Sequence, residues 1–427
     1  MKNIADIKLA AQGRKNIAFA RSQMGALLTV EEEFKKKQPL AGYIIGMALH
    51  VTKETAVLVD TLEAGGAEVV IAGCNPLSTQ DDVAAALHER GTKVWAWKGE
   101  THKEYYANLE TVVDELKKSV TQGKKVLTID DGCDLVTLIH QKHPELIPSI
   151  VGGTEETTTG VQRLRAMEED DALKYPVVAV NDNKTKHLFD NYYGTGQSTI
   201  DGLLRATNLL FAGKTVVVVG YGSCGRGVSL RAKGMSAEVV VCEVDNLRAL
   251  QARMDGFRVM PILDAARVGD VFVTVTGNKH VIDEAHLQVM KNGAILANSG
   301  HFDAEINIDA LKKMAHKVAQ VRPSLQEFKI KQSRKEINVY LAGEGRLVNL
   351  AAAEGHPSTV MSLSFCGQAL ALDYIVAHQS EIQPGVVVLP SHVDDDIAAR
   401  QLTAMGIKKD TLTKEQARYI ASWQAGT

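Results

Sequence analysis

The sequence predicts an α/β protein built on two doubly wound parallel sheets, linked by a two-stranded hinge and followed by a short helical C-terminal segment. Three observations predict it. Short apolar runs alternate with helical stretches twice over, once before residue 190 and once after it. The runs are rich in Val and Ala, and aromatic residues make up only 5% of the 427, as suits strands buried on both faces. A glycine-rich turn, Gly220-Tyr221-Gly222-Ser223-Cys224-Gly225-Arg226-Gly227, follows one such run in mid-chain. Sheets of this kind bind ligands at the carboxyl ends of their strands.

The elements follow in order from hydrophobic periodicity. Residues 43–49 read as a strand, 53–64 as a helix, 68–72 as a strand, 79–90 as a helix, and 93–97 and 125–129 as further strands. The second set of strands is expected at 215–219, 239–242, 271–275, 294–297 and 339–342. A long apolar helix from 358 to about 379 is too hydrophobic to stand alone and is expected to return to the first sheet. The expected domains are 1–190, completed by 354–390; 191–353; and an assembly segment, 391–427. The chain then crosses between domains near 181–196 and near 350–357, which makes a hinge.

Composition narrows the function. Apolar content of 45% supports real cores, and a net charge of −3 without a basic stretch among aromatics argues against nucleic acid. The N-terminus lacks an apolar export core, and no apolar run approaches the roughly 20 residues that span a bilayer. Cys74, Cys133, Cys224, Cys242 and Cys366 form no CxxC pair. The histidines show neither HxxxH nor HExxH, so no metal site is expected. The reading is a soluble, cytoplasmic protein.

The glycine turn has a specific physical reading. Gly220 lets the turn close, Gly222 lets the backbone approach a pyrophosphate, and Gly225 lets helix pack on strand. The phosphates meet free N–H groups at the helix N-terminus. Glu243 closes the next apolar run, 23 residues after Gly220. It is placed to accept from a ribose 2′-hydroxyl and to repel a 2′-phosphate. Strand, turn, strand and acid together indicate a Rossmann-like domain that binds NAD rather than NADP.

Polar residues crowd the strand ends of the first half: His50, Asp130-Asp131, Glu155-Glu156 and Asn181-Asp182. A single such acid is usually a helix cap, but four strand ends together point to a site. Lys186 and Asp190 lie four apart and share a face if helical. They are either a surface ion pair or a base beside the nicotinamide, where a lowered lysine pKa would let it take a proton from an alcohol. His301 ends a strand of the second half and is either a structural histidine or a cleft residue. His140, His143 and His187 read as structural.

At these residues the chain strongly resembles the S-adenosylhomocysteine hydrolase family. The matching segments are 48–56, 74–82, 96–101, 130–132, 155–161, 185–202, 220–227, 298–303, 345–350 and 355–358, covering nearly the whole chain. The resemblance implies a cycle in which bound NAD oxidises the ribose 3′-hydroxyl, homocysteine leaves by β-elimination, water adds, and the stored hydride returns to give adenosine. It implies Lys186 as base at the 3′-hydroxyl, with Asp190 on the same sugar edge. Asp131, assisted by His50 and His301, is implied for the 4′-proton. Thr52 and Glu54 are implied at the adenine, Glu156 on the substrate, and His356 at the hinge beside the base. Thr157, Thr158, Thr159, Asn191, Asn278, Ser299, Gly300, His301 and Asn349 are implied around NAD, with Gly220, Gly222, Ser223, Cys224, Gly225 and Glu243. The implied assembly is a homotetramer.

Two departures stand out. A Lys-Pro-Asp-His-Tyr-Arg-Tyr ending, which reaches a neighbouring subunit's NAD in many members, is not found in residues 419–427, so NAD retention and assembly are left open between dimer and tetramer. Cys133 replaces the second glycine of an Asp-Asp-Gly-Gly-Asp run, which a negative φ would tolerate. The alternatives are a simple NAD-dependent dehydrogenase or a catalytically silent NAD-binding relative.

Overall fold

The computed structural model describes residues 2–333 and 335–424; the last three residues of the expected 391–427 segment lie outside it. Six strands, β1 Tyr43–Ala48, β2 Glu68–Ala72, β3 Lys93–Trp95, β4 Lys125–Asp130, β5 Ile150–Glu155 and β6 Pro176–Ala179, belong to the first sheet. The second sheet holds β7 Thr215–Val219, β8 Glu238–Cys242, β9 Arg258–Val259, β10 Val271–Thr274, β11 Ala294–Asn298, β12 Ala315–Arg322, β13 Leu325–Lys331 and β14 Glu336–Ala342. A last strand, β15 Gly385–Val387, returns to the edge of the first sheet beside β6.

The first sheet runs β15-β6-β5-β4-β1-β2-β3, and every pair in it is parallel. Its strand order reverses between β1 and β4, so the chain leaves these neighbours toward opposite faces and opens a crevice at their carboxyl ends. β1 is buried at all six positions because helices cover both faces, which explains its continuous apolar run. The second sheet runs β12-β13-β14-β11-β10-β7-β8-β9, with its switch point between β7 and β10.

Sequence periodicity missed part of the second sheet. β12 and β13 pair antiparallel, and β13 pairs antiparallel with β14, so a hairpin extends an otherwise parallel sheet. β12 mixes polar and apolar residues without a clean alternation and is exposed at most positions, which hides it among polar segments.

The 20-residue helix Ser358–Ala377 corrects the membrane argument, for it is long and apolar enough by composition to cross a bilayer. Here it packs against β5 and the helices Gly25–Lys37 and Lys53–Ala64, and its Phe365, Cys366, Ala369, Leu372 and Ile375 join the core on that side of the first sheet. Hydrophobicity on every side reflects burial among helices and strands. Between the sheets, the segment after β6 is broken into a 3-10 turn Val180–Asp182, a helical turn Lys184–His187 and a π-turn Asp190–Gly194. The helix Thr195–Thr207 follows.

Candidate functional site

A cleft of about 1280 Å³ lies where the strand ends of both sheets face each other. Its walls include His50, Asp131, Glu156, Lys186 and Asp190 from the first sheet's side, and Gly220, Glu243, Ser299, His301 and Asn349 from the second's.

The doubled acids at the strand ends divide their work. Asp130 turns inward and accepts from the Asp131 and Val136 backbone N–H groups, while Glu155 accepts from those of Gly132 and Thr157. Burial pushes the Asp130 carboxyl up to about 7 and the Glu155 carboxyl well above its ordinary value. These two are the loop caps that a strand-end acid usually is. Their neighbours, Asp131 and Glu156, face the cleft instead.

Asp131 is flanked by two histidines, one for each oxygen. His50 Nε2 lies 3.5 Å from Oδ2, and His301 Nδ1 lies 3.5 Å from Oδ1. His50 is fixed through Nδ1 by Ser78 Oγ at 2.7 Å and the Cys74 thiol at 3.2 Å. Burial pulls its pKa down to about 4 although Asp131 opposes this, so the ring is neutral at pH 7. His50, Cys74 and Asp131 thus bring three donor atoms within 4.8 Å of one another, a grouping that sequence spacing does not reveal. The loop carrying His301 is shaped by Asn298, whose Oδ1 accepts from Gly300 N and whose Nδ2 donates to the Gly300 and Phe302 carbonyls.

Lys186 is buried, with Nζ donating to Asn191 Oδ1 at 2.8 Å and standing 3.3 Å from Asp190 and 3.9 Å from Glu156. The expected lowering of its pKa is overturned. Burial pulls the ammonium down, but Asp190 and Glu156 outweigh it and hold the pKa above the ordinary lysine value. Asp190 is held low by Lys186 and His356 in spite of its burial. His356 therefore sits on Asp190, with Nδ1 3.1 Å from its Oδ2, and its Nε2 is 3.3 Å from Thr195 Oγ1. Burial pushes the Glu156 carboxyl up to about 7. Both its oxygens accept, from Ser364 Oγ and Gln368 Nε2.

At the far end, Thr52 caps the helix Lys53–Ala64, accepting from Thr55 N at 3.4 Å, and Glu54 Oε1 accepts from Ser358 Oγ at 2.6 Å. Sequence reasoning did not single out Ser358, Ser364 or Gln368. The available signal was polar residues interrupting an otherwise apolar helix.

The second sheet's wall fits a dinucleotide. Gly220 has φ +103, and a Cβ on Gly225 would collide with the Gly220 carbonyl, so strand, turn and helix close only with glycine at both positions. A Cβ on Gly222 would meet nothing nearer than 3.7 Å, which leaves its backbone open to a phosphate. Glu243 lines the cleft, and its carboxylate also accepts from Tyr221 N, Val244 N and Asp245 N, tying the turn to the end of β8. Glu305 accepts from the backbone of Thr276 and Gly277, presenting Asn278 to the cleft. Thr157 and Thr158 line the cleft beside them. Thr159 Oγ1 and Asn349 Oδ1, both at this wall, are buried without a protein partner and suit an amide-bearing ligand.

Cys133 contradicts the sequence expectation. It takes φ +63 at the start of the helix Asp134–Lys142, the left-handed conformation that the glycine usual at this position would supply without strain. Its side chain is fully buried.

A family model described as S-adenosyl-L-homocysteine hydrolase matches residues 2–145, and one described as its NAD binding domain matches residues 191–355. Over 427 residues the chain is 54% identical to an S-inosyl-L-homocysteine hydrolase of Methanocaldococcus jannaschii, covering 100% of both chains. It is 52% identical over 426 residues to an adenosylhomocysteinase of Aquifex aeolicus, covering 100% of this chain and 99% of that one. It is also 52% identical over 424 residues to an adenosylhomocysteinase of Saccharolobus solfataricus, with 99% of each covered.

Proposed function

The chain belongs to the S-adenosyl-L-homocysteine hydrolase family, and from that premise we propose that it reversibly hydrolyses S-adenosyl-L-homocysteine to adenosine and L-homocysteine. NAD is its cofactor. The observation that carries the reading is the meeting, in one cleft, of the Lys186–Asp190 pair, the Asp131–histidine group and the glycine turn.

Bound NAD supplies the oxidant for the ribose 3′-carbon and holds the electrons until they return. Lys186 takes the 3′-hydroxyl proton. Its resting form is the ammonium, so that proton must first leave, and Glu156 at 3.9 Å can accept it once its own carboxyl has ionised, as pH rises through about 7. Asp190, fixed by His356, accepts from the same sugar edge. Once C3′ is a ketone, the 4′-hydrogen is acidic, and Asp131 removes it. His50 and His301 each address one oxygen and steady the carboxylate as it gains and loses the proton. β-Elimination then releases homocysteine, and water adds to the resulting double bond.

The division of roles follows the sheets. Residues 1–190, completed by 354–390, hold the nucleoside, 191–353 hold NAD, and 391–427 serve assembly. A homotetramer is supported by exposed apolar side chains of the last segment, Leu412, Tyr419, Ile420 and Trp423. Five free cysteines favour a reducing compartment, the cytoplasm.

Relatives carry names for both adenosyl and inosyl substrates. Glu54 favours the former, because a carboxylate accepts from a 6-amino group and finds no donor in a 6-oxo group unless the carboxylate itself is protonated. The deciding experiment follows thiol release by the NAD-loaded protein from S-adenosyl- and S-inosylhomocysteine in parallel. Release from the adenosyl compound is expected. Release from the inosyl compound alone would keep the elimination and overturn the base reading; release from neither would overturn the hydrolase reading.

A further inference from the structure

Lys53 stands directly behind Glu54, off the cleft wall, and its surroundings are unusual for a lysine at a helix start. Its side chain is 11% exposed and that of Glu54 is 2% exposed. Lys53 Nζ is 3.5 Å from Glu54 Oε1, the oxygen that also accepts from Ser358 Oγ at 2.6 Å. The same ammonium donates to Glu354 Oε2 at 3.0 Å. Glu354 belongs to the crossing that leads into the helix Ser358–Ala377 and also meets Arg205 Nη2, from the helix Thr195–Thr207, at 3.4 Å. Gln80 locks the corner, accepting from Lys53 N at 3.0 Å and donating to the Glu354 carbonyl at 3.2 Å.

We propose that Lys53 is a specificity-determining, positioning residue that selects 6-amino over 6-oxo purine nucleosides by holding Glu54 as an oriented anionic acceptor; this rests on the reading of Glu54 as the base-contacting group. The argument is one of charge and geometry. With Oε1 engaged by Lys53 and Ser358, the carboxylate cannot rotate, and Oε2 is left for the ligand. A buried carboxylate is tolerated as an anion only beside a cation. Deprived of Lys53, Glu54 keeps only Ser358 on Oε1, and the carboxylate is free to turn away from the 6-amino position that it would otherwise distinguish from a 6-oxo group. Burial pulls the Lys53 ammonium down, but Glu54 and Glu354 outweigh this and keep its pKa raised.

The test uses NAD-loaded protein and compares kcat/KM for S-adenosyl- and S-inosylhomocysteine. Lys53→Met is expected to lower the adenosyl-to-inosyl ratio about 10-fold, mainly through loss of the adenosyl reaction, and Lys53→Arg should restore most of it. Lys53→Gln, which keeps chain length without charge, should show the same loss as methionine and serves if Lys53→Met does not fold. An unchanged ratio, whether both activities fall together or neither falls, overturns the proposal. Glu54→Gln separates the two levels. If it shifts the ratio and the Lys53 variants do not, the inference alone fails; if neither shifts it, the base reading fails as well.

Discussion

The Asp131 carboxylate and the His301 imidazole meet across the cleft at 3.5 Å, the first just past β4 of one sheet and the second just past β11 of the other. The residue between β4 and the helix that follows makes this contact possible. Gly132 has φ +113, and a Cβ there would collide with His301 Nε2. The contact joins the carboxyl ends of the two sheets across the cleft.

On the proposed mechanism, Asp131→Asn removes the base at the 4′-position but leaves the oxidising half of the site intact. Substrate should still reduce bound NAD, read as the near-ultraviolet absorbance of the reduced nicotinamide. Thiol release should fall about 100-fold or more. Loss of both signals in parallel would place Asp131 in the first step instead.

Lys186→Ala should abolish the first hydride transfer while NAD binding stays near normal. Among the described residues, the hydrogen bonds and ion pairs of Lys186 run to Asn181, Asn191, Asp190 and Glu156, none of them in the glycine turn. Reduction of bound NAD by substrate in this variant would remove the base assignment.

Glu243→Ala should weaken NAD about 10-fold more than it weakens adenosine, measured by calorimetry on the NAD-free protein. Three backbone N–H groups lose their acceptor, and on the proposed reading the ribose loses its own as well. Equal losses for the two ligands would show that the residue only stiffens the turn.

Much of this site was legible because its chemistry sits where chain geometry repeats. Gly220, Gly225 and Glu243 occupy positions fixed by strand, turn and helix, so spacing alone located them. His50, Asp131 and Glu156 stood out as polar groups ending apolar runs. The supporting contacts are different in kind. Ser364 and Gln368 reach Glu156 from a helix more than 200 residues away in sequence, and Glu354 reaches Lys53 across an even longer separation. No local period encodes such pairings; they appear only when the helix Ser358–Ala377 is laid on the first sheet. For Lys186 the signal was partly local: Asp190, four residues on, does most to raise its pKa, and Glu156, a neighbour in space alone, adds to it. The hairpin β12–β13 escaped because its exposed faces carry charge where buried strands carry valine.

Cys133 offers a test of backbone strain. A β-branched side chain at φ +63 is a steric outlier, so Cys133→Val should cost about 1–2 kcal/mol more than Cys133→Ala, even though valine fills the buried space better. Chemical denaturation of the two variants measures the difference. A valine variant as stable as the alanine one would mean that the loop relaxes to negative φ.

Glu156 gives the last prediction, a pH dependence whose sign follows from one ammonium shared by two carboxylates. Asp190 is the nearer partner of Lys186, at 3.3 Å against 3.9 Å, and it carries the balancing charge. Glu156 is left to burial, which raises its carboxyl from 4.5 to about 7 although Lys186 opposes it. The folded protein therefore holds a proton there that the unfolded chain releases. The stability this contributes is fully present below the unfolded value and is lost as pH rises through about 7. Glu156→Gln has no proton to lose. Its thermal midpoint, compared with that of the parent protein without NAD, should improve between acid and alkaline buffers by a few degrees, roughly 2–4 °C for each kcal/mol. His50 works in the opposite sense, because its neutral folded form costs stability as pH falls through 6.5. It is common to both proteins and cancels in the difference. A midpoint difference that is flat, or that moves against the glutamine as pH rises, would show that Glu156 rests as an anion on Lys186 throughout and that burial holds no proton there.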